Sequence, residues 1–174
     1  MGVRDGYLLA SDDQLIAQSE VDRYRASGPG GQHRNKTESA VRLRHKLSGV
    51  SAIGEDSRSQ SENKLHAVRR LRSAIALEVR EPVLLDGYVP SARLAAFVRA
   101  GTAPLGAKTR LTGTYWAAIG ELLDLLVAGD LEIGTTAQRL GITTGALSKL
   151  LLHDEHVART VNDARRARQM RPLR

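Results

Sequence analysis

RASGPGGQHRNKTESAVRLRH, residues 25–45, sets three glycines and a proline about one glutamine, Gln32, and then adds a run of bases. Its closing part alternates, with Val41 and Leu43 on one side and Arg42 and Arg44 on the other, which predicts a strand. Just upstream, Val21, Arg23 and Arg25 alternate with Asp22 and Tyr24 and predict another. Residues 26–36 are then a glycine-rich loop between two strands, with an amide side chain in its middle. A hydrophobic core gains nothing from such a loop. Polar, pliant and positively charged, it is built to enter something negative.

Working outward, the turn KLSG leads to a third short strand candidate, Val50–Ile53. Ser11 and Gln14 form a capping-box pattern and predict a short helix; Ser59 and Glu62 form another. The second opens a helix whose Leu65, Val68, Leu71 and Ile75 make an apolar stripe for the sheet, leaving Lys64, Arg69, Arg70 and Arg72 largely outside it as a basic face. The first part of the chain is thus expected to be α+β: a small mixed sheet with a packed helix, over residues 1–82. A connecting region, 83–110, holds a helix from Ser91 to Arg99 closed by Gly101, and then a linker. Residues 111–158 read as an all-α, helix-turn-helix-like domain. There Trp116, Ile119, Leu122, Leu123 and Leu126 recur at helical spacing, and Ala137, Gly141, Ile142, Leu147 and Leu150 follow a helix-turn-helix pattern. A last helix from Glu155 runs into a basic tail, 159–174.

Charge is unevenly spread along the 174 residues, whose net charge is +7. From Arg23 to Arg72 there are twelve basic and four acidic residues, from Leu111 to Ala158 two and six, and from Arg159 to Arg174 six and one. Two basic ends flanking an acidic middle point to a polyanionic partner met by the first half and the tail. Without cysteine the chain has no disulfide, thiolate metal site or cysteine nucleophile. Its N-terminus carries acids and no sustained apolar run, so neither a signal peptide nor a membrane span is expected, and a cytoplasmic monomer is.

Consecutive glycines, Gly30 and Gly31, reach backbone angles that a Cβ forbids and let the main chain approach a ligand closely. The next amide, Gln32 N–H, is then free to act as a fixed donor, suited to the oxyanion that develops when an ester is cleaved. The Gln32 side chain is neutral; it orients water rather than deprotonating it. Arg25, Arg34 and Lys36 surround it with cations for phosphate. His33 and His45 are not expected to act as bases.

SGPGGQHRNKTESAVRLRH together with GEDSRSQSENKLHAVRRL resembles the catalytic domain of peptide chain release factors and their stand-alone ribosome-rescue relatives, over roughly residues 8–80. The family's Gly-Gly-Gln falls on Gly30, Gly31 and Gln32, preceded by the loop-shaping Ser27, Gly28 and Pro29. Its Asn-Lys-Thr-x-Ser-Ala-Val falls on Asn35 to Val41, and its Arg-Ser-Gln on Arg58, Ser59 and Gln60, with Asn63 and Lys64 after them. The resemblance implies hydrolysis of the peptidyl-tRNA ester in the ribosomal peptidyl transferase centre, with no metal and no cofactor. It implies ribosomal RNA and peptidyl-tRNA as partners, gripped by Arg25, Arg34, Lys36, Arg42, Arg44, Arg58, Lys64 and, in the tail, Arg165, Arg166 and Arg168. It also implies Gln32 as a methylation site and a glutamine methyltransferase as a partner. A chain of 174 residues leaves no room for a stop-codon-reading domain, so codon-independent rescue is expected. Two departures stand out: Arg34 falls where the family often has a small apolar residue, and the basic tail is short and follows an acidic helical part. The readings from other classes are a DNA-binding regulator using Thr144 and Lys149, and a ribosome-binding factor without catalysis.

Overall fold

A computed structural model describes residues 2–24, 39–101 and 112–174. The chain divides into two compact units, residues 1–79 and 80–174.

The first unit runs α1 (Val3–Leu9), α2 (Asp12–Ala17), β1 (Ser19–Tyr24), β2 (Ala40–His45), β3 (Ser51–Gly54) and α3 (Gln60–Glu78). The expected α+β architecture is present. Its sheet, expected to be mixed, is antiparallel throughout in the order β1-β2-β3, because β2 returns directly beside each neighbour without a crossover. Leu43 and Val41 face the core, while Arg42 and Arg44 are exposed on the opposite side. α2 starts as the sequence predicts: the Gln14 N–H donates to the Ser11 hydroxyl at 3.2 Å, and the Ser11 N–H donates to Gln14 Oε1 at 2.9 Å.

α3 departs from the expected pattern in two places. Its buried face is Asn63, Ala67, Val68, Leu71, Arg72, Ile75 and Ala76. Leu65, counted in the apolar stripe, is 38% exposed, and Arg72, placed on the basic face, is only 5% exposed. The buried arc follows two rows in steps of four, 63-67-71-75 and 68-72-76, whatever the polarity, and Leu65 lies nearly opposite Asn63 on the helical wheel. Arg72 donates there to Asp12 Oδ1 at 2.9 Å and to the Ala10 carbonyl at 2.7 Å, tying α3 to the start of α2 and the link before it. The second capping box is half made. Ser59 Oγ accepts the Glu62 N–H at 3.4 Å, but the Ser59 N–H goes to Ser57 Oγ at 3.1 Å, and the Glu62 carboxylate accepts the Ser57 hydroxyl.

Gly54 brings β3 and α3 into backbone contact. A Cβ built there would lie 1.9 Å from the Asn63 carbonyl oxygen and 2.9 Å from the Ala67 nitrogen. At the other end of the sheet His45 is fully buried against the Tyr7 ring, with centroids 4.4 Å apart. The Ser48 N–H donates to His45 Nδ1 at 3.2 Å, which leaves Nε2–H facing Gln18 Oε1 at 3.4 Å and assigns the neutral ring to that tautomer.

Burial holds the His45 pKa below its ordinary value. As pH falls through the usual histidine range near ~6.5, the unfolded chain takes up a proton that the folded unit resists. The stabilisation from neutral His45 is therefore present above that range and is lost as pH drops below it. Urea midpoints of the full chain should fall between about pH 7.5 and about pH 5.5, and His45→Gln should flatten that dependence. An unaltered slope in the variant would remove His45 as its source.

The second unit consists of α4 (Ala92–Ala100), α5 (Gly113–Ala128), α6 (Ile133–Arg139), α7 (Thr144–Leu152) and α8 (Glu155–Ala167). α5 is its core, with Trp116, Ile119, Leu122, Leu123 and Leu126 all buried as the spacing predicts. Two acids one turn apart on α5 fix the preceding segment. Asp124 Oδ1 accepts the Glu81 N–H at 3.1 Å and pairs with Arg80 at 3.1 Å. Glu121 accepts the Ser91 N–H at 2.8 Å, the Tyr88 hydroxyl at 2.9 Å and the Ser91 hydroxyl. Burial and the adjoining Glu121 carboxylate push the Tyr88 phenol well above its ordinary pKa. Gly141 makes the α6–α7 turn at φ +67°, a left-handed angle suited to glycine, and Thr143 caps α7.

Candidate functional site

The glycine-rich stretch connects β1 to β2. The two strands pair in register up to Tyr24 and Ala40, so the connection leaves and returns at one end of the sheet. Residues 25–38 lie outside the described residues, and with them Arg25, Ser27, Gly28, Pro29, Gly30, Gly31, Gln32, Arg34 and Lys36. The structure does describe the two stems. On the outgoing side, burial, reinforced by Glu55, raises the Tyr24 phenol pKa. On the returning side the Ser39 carbonyl accepts Asn63 Nδ2–H at 2.7 Å. Asn63 is fully buried, and its amide also holds Ser57, donating to the carbonyl at 2.7 Å and accepting the N–H at 2.8 Å. The return stem, the β3–α3 turn and the first turn of α3 therefore meet on one side chain.

The expected phosphate-binding cations fall into distinct settings. Arg42 is exposed on the outer face of the sheet, but Nη2 and Nε sit 2.7 Å and 3.1 Å from Asp22 Oδ2, and Asp22 is its register partner on β1. Arg44 lies opposite Glu20 in the same ladder. A cross-strand carboxylate thus offsets Arg42, an arrangement the alternation of β2 alone did not reveal. Arg58 is exposed at the β3–α3 turn and Lys64 is partly buried on α3; neither side chain has an ionic partner among the described residues. Ser59 beside Arg58 is the α3 cap. A cluster the sequence reading missed lies near this turn. Asp56 pairs with Arg70 at 2.9 Å and His66 at 3.1 Å, and the Arg70 hydrogen bond, opposed by partial burial, holds the carboxyl below its ordinary range.

In the second unit, Arg165 lies on α8 and donates to the Leu131 carbonyl and, through Nε, to the Arg171 carbonyl at 2.8 Å. Arg166 pairs with Asp163 at 2.6 Å and Arg168 with Asp130 at 3.0 Å. The last residues fold back on the helix, with the Leu173 N–H donating to Asn162 Oδ1 at 2.7 Å. Val161 is buried, so residues 159–167 belong to the packed part of this unit and removing them would open its core. The helix-turn-helix pattern corresponds to α6 and α7, whose exposed surface offers Thr144 and Lys149. A single lysine there gives little grip on DNA phosphates.

No helix of the described residues is long and apolar enough to cross a membrane. Among the same residues there is no group of three or more histidines and carboxylates able to hold a metal ion.

An α+β unit whose first hairpin carries Gly-Gly-Gln, pinned at its return stem by the helix that covers the sheet, defines the class of a release-factor domain. The family model described as RF-1 domain matches residues 15–83. Residues 15–83 thus form a release-factor domain. The chain is 51% identical over 59 residues to peptide chain release factor 2 of Acidithiobacillus ferrooxidans, an alignment covering 34% of this chain and 16% of that protein. It is 34% identical over 157 residues to peptide chain release factor 1 of Geobacter metallireducens, covering 89% of this chain and 37% of that one. With peptide chain release factor 1 of Delftia acidovorans the identity is 34% over 127 residues, or 64% of this chain and 35% of that one. The chain thus spans well under half the length of these curated relatives. No solved structure matches it.

Proposed function

We propose that this protein releases nascent peptide by hydrolysing the peptidyl-tRNA ester in the ribosomal peptidyl transferase centre, and that it does so on stalled ribosomes without reading a stop codon. The observation that carries the reading is Gly30-Gly31-Gln32 on the β1–β2 connection of a release-factor domain. In this chemistry water attacks the ester carbonyl, the Gln32 N–H stabilises the oxyanion, and the tRNA ribose oxygen leaves with a proton. The Gln32 side chain positions the water and is the atom set that a glutamine methyltransferase would modify. Arg25, Arg34 and Lys36, with Arg58 and Lys64, supply the cations for RNA. Arg44 adds to them, and Arg42 acts more weakly, since it is paired with Asp22. The codon-independent form draws on what accompanies the domain: residues 80–174 build a helical unit ending in the arginine-rich α8.

The experiment is release of labelled peptide from ribosomes carrying a truncated message, a sense codon or a stop codon in the decoding site. Release on the truncated message, at a rate unchanged by a stop codon, is the expected result. Release only at stop codons would overturn the rescue reading, and no release on any of the three would overturn hydrolysis itself.

A further inference from the structure

We propose that Asn63 is the positioning residue for the glycine-glutamine loop, holding its return stem in place through the Ser39 carbonyl; the catalytic consequence rests on the function proposed above. Ser39 is the residue between the loop stretch 25–38 and the first residue of β2. Its carbonyl receives a 2.7 Å hydrogen bond from a fully buried side chain that belongs to another element. The strand ladder fixes the stems only as far as the Tyr24–Ala40 pair. Beyond it, Asn63 is a further tether on the returning chain.

The chemistry of the site calls for a carboxamide. Both Nδ2 hydrogens are used, one on Ser39 and one on Ser57, each at 2.7 Å, and Oδ1 takes the Ser57 N–H at 2.8 Å. Only a side chain with two donors and an acceptor on a short stem meets all three demands. The Asn63 main chain is equally constrained, since its carbonyl oxygen is the atom that a Cβ at residue 54 would strike. The side chain therefore projects from a backbone that β3 holds in place. In the function proposed above, a misplacement of a catalytic group by about 1 Å can cost on the order of 100-fold in rate.

Asn63→Asp separates this role from acceptance of the Ser57 N–H. The carboxylate still accepts the Ser57 N–H, and a negative charge in the first turns of α3 suits the helix dipole. It has no hydrogen for Ser39 or Ser57 and sets a charge against both carbonyls. Val68→Ala, on the same buried face of α3 and remote from Ser39 in its bonding, serves as the control for lost stability. The full-length variants are compared well below their melting temperatures. Peptide release from stalled ribosomes is followed at saturating and limiting protein, and amide hydrogen exchange is measured at Tyr24, Ala40 and Val41.

For Asn63→Asp the saturating release rate should drop roughly 10- to 100-fold with the half-saturating concentration unchanged, and the stem amides should exchange faster. Val68→Ala should change neither. Release by Asn63→Asp at the wild-type rate, or a loss that Val68→Ala reproduces at equal stability, overturns the proposal. If wild type itself releases nothing, the hydrolase reading fails independently and exchange decides the tether alone: faster stem exchange in Asn63→Asp sustains it, unchanged exchange removes it.

Discussion

Gly54→Ala is expected to lower the stability of the first unit by roughly 3 kcal/mol or more, enough to unfold a marginal domain. The added Cβ would sit 1.9 Å from the Asn63 carbonyl oxygen and 2.9 Å from the Ala67 nitrogen, and both are backbone atoms of α3. A clash with a flexible side chain is relieved by a rotamer change, but this one can be relieved only by moving the helix off the sheet. Moving it would strip the cover from Val41 and Leu43 and break the Asn63 bonds to Ser39 and Ser57. Gly49→Ala is the contrast. That glycine has φ +73° with open space around it, so its alanine meets only conformational strain, about 1–2 kcal/mol. Urea unfolding of both variants, followed by far-ultraviolet circular dichroism, tests the difference. A Gly54→Ala midpoint as high as that of Gly49→Ala would show that α3 can retreat at little cost.

Gln32→Pro is expected to reduce peptide release on stalled ribosomes by about 100- to 1000-fold, the loss associated with removing one oxyanion donor. Proline deletes the N–H while keeping the carbonyl, so the proposed donor is tested directly. Gln32→Ala retains the N–H and loses only the water-orienting amide, and it should therefore fall less. Gly31→Ala adds a Cβ where close approach of the main chain to the substrate is proposed, and should approach the proline variant in effect. Thermal stability should be unchanged in all three, because the sequence of this stretch is polar and glycine-rich. Single-turnover release with ribosome binding measured in parallel decides the matter. Wild-type release by Gln32→Pro would eliminate the main-chain amide as the stabilising group.

Much of the first unit could be read from the chain because its local signals agree with its packing. The Ser11–Gln14 box and the alternation of β2 each describe a short-range demand that tertiary structure left in place. Asn63 illustrates where such reading stops. It was visible as part of a motif, one turn into α3, yet its function depends on Ser39, which lies 24 positions away in sequence. A polar residue on a helix surface and one on a buried face look alike until the partner is known. Arg72 makes the same point: its charge put it on the expected basic face, whereas the fold buries it and Asp12 receives it.

By itself the sequence determined most of the elements, since propensity and periodicity act over a few residues. It likewise set the surplus of cations. Only the tertiary structure decided which of those cations face outward unpaired. Asp22 takes Arg42, Asp12 takes Arg72 and Asp130 takes Arg168, while Arg58 and Lys64 have no ionic partner among the described residues. Charge falls off with distance in space rather than along the chain, so a net count over a segment fixes how much charge there is, and the fold fixes where it acts.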